Sequence, residues 1–238
     1  MDWKLLEAQQ SEYARLTYNS TNRLRRLAHR KRIEKTLNFI PATDPLRLLD
    51  FGCGDGLFLN LFNEIRPSEC LLLGYEPFLD QIPGNSIPVV KDWRDVLSRK
   101  PFNCITCLEV MEHFNRDTQS GFIADISSVL SNAGFLIISV PVEKGLPALV
   151  KNIVRRIRTR DRTLYSLKNL FRSFWGKPFP EIRNRAGYIF QHMGFYFKNL
   201  EPLFVNDFEI VKKVFTPFPC LGSRFNSQVF YLLKKKPL

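Results

Sequence analysis

Short apolar runs alternate with stretches of helical periodicity from residue 46 onward. The runs at 46–51, 70–76, 87–91, 103–109 and 134–140 predict β-strands. Between them, 57–62 and 122–130 carry apolar residues at helical spacing. This alternation is typical of a parallel sheet with helices on both faces. The sequence therefore predicts an α/β fold with a doubly wound, mostly parallel sheet.

The remaining segments fit around this sheet as one domain, 1–238. Residues 1–40 predict an N-terminal helical lead-in, with Arg23, Arg25, Arg26, Arg30, Lys31 and Arg32 on exposed faces. Two late apolar runs, 208–216 and 226–234, flank a turn-rich stretch and predict an antiparallel hairpin at the C-terminal edge of the sheet. Residues 142–198 form a helical insertion before that hairpin.

Composition and charge indicate where the protein is located and which chemical classes of partner it could bind. No uncharged apolar stretch reaches the roughly 18 residues of a membrane span, and the polar start does not resemble a signal peptide, so we expect a cytoplasmic protein. Most of the net charge of +12 lies in residues 144–188. This segment contains twelve lysines and arginines and only two acids, Asp161 and Glu181, and so has a net charge of +10. Such a segment favours an anionic partner, such as a phosphate-bearing substrate, a lipid surface or a nucleic acid.

A glycine-rich turn follows the first predicted strand. Asp50 precedes Gly52, Gly54 and Gly56 in the pattern G-x-G-x-G, which is neither the dinucleotide-binding pattern G-x-G-x-x-G nor a P-loop. Glu76 ends the second strand, where a carboxylate can accept both hydroxyls of a ribose. Asp92 and Trp93 follow the third strand and offer an acid for an exocyclic amine and a ring for stacking. Three strand ends thus converge on an adenosine.

With these motifs, residues 40–142 resemble the class I S-adenosylmethionine-dependent methyltransferases in order and spacing, including the fourth strand at 102–113 and the fifth at 134–141. The resemblance implies a Rossmann-like methyltransferase fold and S-adenosylmethionine as the cofactor. It implies that Asp50, Gly52 and Gly54 surround the methionine part, that Glu76 holds the ribose and that Cys53 also belongs to the cofactor site. It further implies that Asp92 and Trp93 border the adenine, with Leu108 and Glu109 completing the cofactor site.

The end of the fourth strand carries the candidate chemistry. A hydroxyl acceptor must lose a proton, and His113 is the best placed of the three histidines to take it, with Glu112 beside it. Glu109, Glu112 and His113 stand at i, i+3 and i+4, which predicts one helical face. The chain has no Asn/Asp-Pro-Pro-Tyr/Phe motif of amino-group and base methyltransferases, which favours a hydroxyl acceptor.

The same Glu-x-x-Glu-His pattern resembles two metal-dependent O-methyltransferase groups, the ubiquinone-pathway enzymes and the enzymes that methylate a small-RNA 2′-hydroxyl. That resemblance implies a site for Mg²⁺, Mn²⁺ or Fe²⁺ at Glu109, Glu112, His113 and His192. Metal-free relatives carry a similar pattern, with the histidine acting as a base or packing, so both alternatives stay open.

The acceptor is constrained mainly by the insertion. One apolar helical stripe runs along Leu146, Leu149, Val150, Ile153, Val154 and Ile157, and a second includes Leu167, Phe171 and Trp175, with basic residues beside both. The insertion is either a lid packed on the domain, a surface for an anionic membrane or lipid, or a nucleic-acid surface. The C-terminal segments Phe215–Pro219 and Phe225–Gln228 also resemble the tails of bacterial methyltransferases that are often associated with cell-surface glycan or glycolipid synthesis.

These observations predict O-methylation of a hydroxyl on a small-molecule, glycan or lipid-linked acceptor. If the insertion is a membrane surface, the protein is also expected to associate with an anionic membrane. An RNA 2′-O-methyltransferase is the first alternative. A non-catalytic cofactor-binding regulatory subunit is the second, and a degraded glycine turn would distinguish it, whereas the turn here is intact.

Overall fold

Seven strands form one sheet at the centre of the molecule. The computed structural model describes residues 23–66, 70–78, 87–159, 166–175 and 195–237. The strands are β1 (Arg47–Phe51), β2 (Leu71–Tyr75), β3 (Val89–Val90), β4 (Phe102–Leu108), β5 (Leu130–Pro141), β6 (Phe208–Thr216) and β7 (Gln228–Lys235). Their order is β3-β2-β1-β4-β5-β7-β6, in which the first five are parallel and β7 is antiparallel to both neighbours. The predicted parallel sheet and edge hairpin are confirmed.

Helices connect and cover these strands. They are α1 (Arg23–Phe39), α2 (Leu57–Ile65), α3 (Trp93–Leu97), α4 (Arg116–Val129), α5 (Gly145–Thr159), α6 (Leu167–Trp175) and α7 (Glu201–Phe204). Short 3-10 helices span Met111–His113, Phe197–Leu200 and Pro219–Leu221. Helix α4, which contains most of the helical spacing predicted at 122–130, ends at Val129 because the backbone becomes extended at Leu130. Residues 1–22 of the predicted lead-in lie outside the described residues.

The core lies on both faces of the sheet because consecutive residues of a strand point to opposite sides. Leu48 packs in a cluster with Ile33 of α1 and Phe62 of α2. Leu49, the next residue, packs in the other cluster with Ile126 of α4. The central strands are therefore buried on both faces, as a doubly wound fold requires, and their carboxyl ends form one edge where a ligand site can lie.

The insertion differs from a lid packed by its apolar stripe. In α5 the side chains buried against the protein are Ala148 and Asn152, whereas Val150 and Ile157 of the stripe are exposed. None of the helices in the described ranges has the length and apolarity that a membrane span requires.

Candidate active site

The turn after β1 requires glycine for its backbone. Gly52, Gly54 and Gly56 have φ angles of 73°, 56° and 76°, in the left-handed region that favours glycine. A Cβ atom on Gly52 would lie 2.4 Å from Val110 Cγ2, whereas one on Gly54 would meet nothing within 4 Å. The turn therefore packs against the segment after β4 at Gly52 and leaves open space at Gly54. Gly56 then caps α2.

A cavity of about 710 Å³ lies beside this turn, at the carboxyl edge of the sheet. Its volume is in the range of small-molecule and cofactor sites. Of the residues predicted to bind cofactor, Asp50, Gly52, Cys53, Gly54, Glu76, Leu108 and Glu109 line it, and so does His113. The lining also includes residues with no predicted role in the site, among them Arg32, Asp55, Tyr75, Phe78 and Phe114. The structure thus brings most of the predicted site together.

Glu76 connects the ends of β1 and β2. Its Oε2 accepts a hydrogen bond from the backbone N–H of Gly54 at 3.1 Å, and its Oε1 accepts one from the N–H of Phe78 at 3.2 Å. These two bonds fix the position of the carboxylate at the cavity. A carboxylate at this place in a doubly wound fold is positioned to accept the hydroxyls of a ribose.

Asp50 is a buried acid in the cavity wall. Its Oδ1 accepts a hydrogen bond from Thr106 Oγ1 at 2.6 Å. Burial raises the pKa of Asp50 to about 7, opposed by the Thr106 hydrogen bond, while the charge of Glu76 adds to the rise and that of Arg32 opposes it. A cation bound in the cavity would favour the ionised form of Asp50.

Arg32 corrects the expectation that all basic residues of the lead-in helix are exposed. Only 5% of Arg32 is exposed, and it lines the cavity. Its Nη2 lies 2.6 Å from His29 Nδ1. The neighbouring positions Ile33 and Thr36 are also buried, so the face of α1 toward the sheet includes this guanidinium. In the sequence, the only indication that Arg32 faces the protein is the apolar Ile33 next to it.

Asp92 and Trp93 are not part of the cavity lining formed by the described residues. Asp92 caps α3 by accepting from Arg94 N at 2.9 Å and forms an ion pair with the Arg94 side chain. The Arg94 hydrogen bonds hold the pKa of Asp92 below its usual value. Trp93 packs edge-on against Tyr75 and Phe51, with ring centroids 5.2 and 6.0 Å apart. Their roles at the adenine stay predictions.

The predicted shared helical face of Glu109, Glu112 and His113 is wrong. Glu109 has a φ of 59° and lies before the 3-10 helix, and its Oε1 accepts from Ser139 Oγ at 3.2 Å. Glu112 is fully buried and is absent from the cavity lining of the described residues. Burial, and then the charge of Glu109, raise the pKa of Glu112 well above its usual value. The strand therefore turns before any helix can align the three side chains.

This arrangement does not fit the predicted metal. Within the described ranges, no three histidine, cysteine, aspartate or glutamate side chains form a group that could hold a metal ion. His192, the fourth predicted ligand, lies outside the described residues. The metal is therefore not supported, whereas Glu109 and His113 both reach the cavity.

Comparison with known proteins adds to this geometry. A family described as methyltransferase domain matches residues 22–188, more than half of the chain. The chain belongs to the methyltransferase domain family. It is a class I S-adenosylmethionine-dependent methyltransferase, with the Rossmann-like sheet of that class. No curated protein matches this sequence.

Solved structures share the fold of this methyltransferase. A magnesium protoporphyrin IX methyltransferase from Synechocystis PCC 6803 with bound SAH has a TM-score of 0.54 at 14% identity, covering 98% of this chain and 93% of that one. A cyclopropane synthase from Mycobacterium tuberculosis has a TM-score of 0.56 at 12% identity, covering 99% and 94%. An N-methyltransferase from Bradyrhizobium japonicum WM9 has a TM-score of 0.51 at 14% identity, covering 87% and 96%. At such identities the likeness shows the fold alone.

Proposed function

We propose that the enzyme methylates a hydroxyl of a small-molecule, glycan or lipid-linked acceptor, with His113 as the general base. The observation that carries this proposal is that His113 lines the same cavity as the glycine turn and Glu76. A proton acceptor then lies in the wall of the cavity that holds the methyl donor. Since a hydroxyl must lose its proton during transfer, His113 supplies what an oxygen nucleophile needs.

The charges of the cavity support one orientation of the cofactor. Its amino-acid end carries an ammonium and a carboxylate, and Asp50 and Arg32 offer the complementary pair of charges in the lining. Glu76 holds the ribose at the other end, and Gly54 leaves the space for the ligand to approach the backbone. Cys53 and Leu108 add contact surface.

The cofactor supplies an electrophilic methyl group on a sulfonium. The acceptor oxygen forms a bond to the methyl carbon as the carbon–sulfur bond breaks, and the hydroxyl proton passes to His113. S-adenosylhomocysteine and a methyl ether are the products. Holding oxygen, carbon and sulfur in line accounts for most of the rate, and no step uses a metal.

A labelled-methyl assay tests the proposal. The enzyme is incubated with labelled S-adenosylmethionine and a cell extract, and carbon NMR of the product distinguishes an O-methyl from an N-methyl group. His113→Ala is expected to lower turnover by about 100-fold or more and to leave S-adenosylhomocysteine affinity unchanged. An N-methyl product, or full turnover by His113→Ala, would overturn it.

RNA is the second candidate acceptor, and the net charge of +10 over 144–188 is the observation that favours it. The same assay separates the two because the extract is divided into organic, aqueous and RNA fractions. The RNA alternative would be established if label appears in 2′-O-methylated nucleosides and if treating the extract with ribonuclease before incubation abolishes that label. Label in the organic or glycan fraction supports the primary proposal.

A further inference from the structure

Helix α5 turns its apolar stripe away from the protein. Val150, Ile153, Val154 and Ile157 are exposed, and Ile157 retains 74% of its accessible surface. The buried face instead carries Ala148 and Asn152. Apolar side chains are more stable out of water than in it. A continuous apolar face that remains exposed therefore marks a surface for another partner to cover.

Helix α6 packs against α5 and likewise carries its large apolar side chains on an exposed face. Leu167, Phe171 and Trp175 are exposed, whereas Leu170 and Ser173 are buried. Polar contacts join the buried faces of the two helices. Asn152 Nδ2 donates to Ser173 Oγ at 3.3 Å, and Ser173 Oγ donates to the backbone carbonyl of Glu143 at 3.2 Å. These contacts fix the pair with Leu170, Asn152 and Ser173 inside, and Leu167, Phe171 and Trp175 remain outside.

The loop at 217–226 adds a third exposed apolar element. Phe218, Leu221 and Phe225 are each about half exposed. The buried Asn226 holds the loop, since its Nδ2 donates to the carbonyls of Phe218 and Gly222, both at 2.7 Å. The backbone N–H of Leu146 donates to the carbonyl of Arg224 at 2.9 Å, so the loop adjoins the first turn of α5.

Positive charge surrounds these apolar side chains. Helices α5 and α6 contain six lysines and arginines and no acidic residue. At the start of α5, Lys144 lies 5.1 Å from the ring centroids of both Tyr196 and Phe197. Burial lowers the pKa of Lys144, and the charges of Lys198, Lys213 and Arg224 lower it further. Cations are thus concentrated where an anionic surface would relieve their repulsion.

Charge and side-chain type together select the occupant. A second copy of this chain would bring the same positive charges face to face in a symmetric contact. Nucleic acid would match the charge, and its bases could stack on Phe171 and Trp175, but it would leave the exposed aliphatic side chains of α5 in water. An anionic bilayer matches both features, because acyl chains accept the apolar groups and phosphates accept the cations.

We propose that α5, α6 and the loop at 217–226, together the docking face, bind the surface of an anionic phospholipid membrane. Helix α5 of the docking face follows β5 in the chain, and Ser139 of β5 donates a hydrogen bond to Glu109 in the cavity wall. The enzyme would therefore dock with this edge of the sheet near the bilayer. Under the proposed function, this narrows the acceptor to a lipid-linked hydroxyl presented at that surface.

Vesicle flotation tests the docking face. The full chain is mixed with vesicles of phosphatidylglycerol and phosphatidylcholine, or of phosphatidylcholine alone. We expect flotation with the anionic vesicles that weakens as salt is raised, and a partition lowered by about tenfold or more in Ile157→Ser/Phe171→Ser. The matched control, Val205→Ser/Val211→Ser, removes two exposed valines from other elements and should float like the wild type.

Trp175 provides a second readout. Vesicles with brominated acyl chains are expected to quench tryptophan fluorescence of the wild type, and Trp175→Phe should still float but lose that quenching. No flotation by the wild type, equal flotation by the Ser variants, or unchanged quenching in Trp175→Phe would overturn the proposal. S-adenosylhomocysteine calorimetry on the same variants separates this failure from a failure of the methyltransferase function, since docking variants should bind the ligand normally.

Discussion

Arg32 and Glu76 contribute opposite charges to the same cavity, and they should recognise different ends of one ligand. Methylthioadenosine keeps the adenosine and lacks the amino-acid end. We expect Arg32→Met to weaken S-adenosylhomocysteine binding by roughly tenfold or more, through loss of charge-assisted hydrogen bonds, and to leave methylthioadenosine binding unchanged. Calorimetry with both ligands measures the difference.

Glu76→Ala should weaken both ligands by roughly tenfold or more, because both carry the ribose. Glu64→Ala, an exposed acid on α2, is the matched control and should change neither affinity. Equal loss of both ligands in Arg32→Met would contradict the assignment of Arg32 to the methionine end. Normal binding by Glu76→Ala would remove Glu76 from the ribose site.

Asp50 should make cofactor binding depend on pH. Its pKa is raised to about 7. In the proposed orientation the cofactor ammonium lies at Asp50 and favours its carboxylate form, so binding should release a proton below about pH 7. We expect S-adenosylhomocysteine affinity to rise with pH up to about 7 and to be constant above that. Calorimetry in buffers of different ionisation enthalpy counts the released proton, and Asp50→Asn should abolish the release.

The same group should affect the stability of the free protein with a defined sign. Between about pH 4 and about pH 7 the folded state keeps a proton that the unfolded chain has lost, so the contribution of Asp50 to the free energy of unfolding falls as pH rises. Other buried acids add to the total slope. The informative measurement is therefore the difference between wild type and Asp50→Asn in denaturant titrations, and identical slopes would contradict the raised pKa.

At the scale of elements, Glu112 lies in the 3-10 helix Met111–His113 whereas Glu109 precedes it, so the two acids do not share one helical face. Because burial raises the pKa of Glu112 well above its usual value, a neutral amide can replace its side chain. We expect Glu112→Gln to keep the fold, the affinity for S-adenosylhomocysteine and most of the turnover. A metal ligand could not be replaced in this way. Loss of turnover that one added metal restores would contradict the expectation.

The order of these elements could be predicted from sequence because the parallel strands are short, mostly apolar runs separated by helical stretches. Asp50 and Glu76 could be placed because parallel strands end at one edge. Arg32 could not, since periodicity shows that α1 has a face but not that an arginine lies in it. The burial of Asn152 and Ser173 could not be predicted either, because the sequence does not show that these two side chains meet between α5 and α6.

At the scale of the whole molecule, the cavity joins the lead-in helix to the sheet. Arg32 on α1 and Asp50 on β1 line it together, so a ligand that contacts both should stabilise both. We expect S-adenosylhomocysteine to slow hydrogen exchange in α1 as well as in the glycine turn. Helix α4 is the internal control because no residue of α4 belongs to the cavity lining. Protection confined to the turn would exclude α1 from the binding site.

The outward apolar faces of α5 and α6 also set the colloidal behaviour of the purified enzyme. Like charges keep these faces apart at low ionic strength, but the Debye length is only about 10 Å at 0.1 M salt. Moderate salt should therefore promote self-association, whereas mild detergent or bicelles should keep the protein monodisperse. Light scattering across a salt series should show that the mean particle size of the wild type increases with salt. The Ile157→Ser/Phe171→Ser variant should not show this increase.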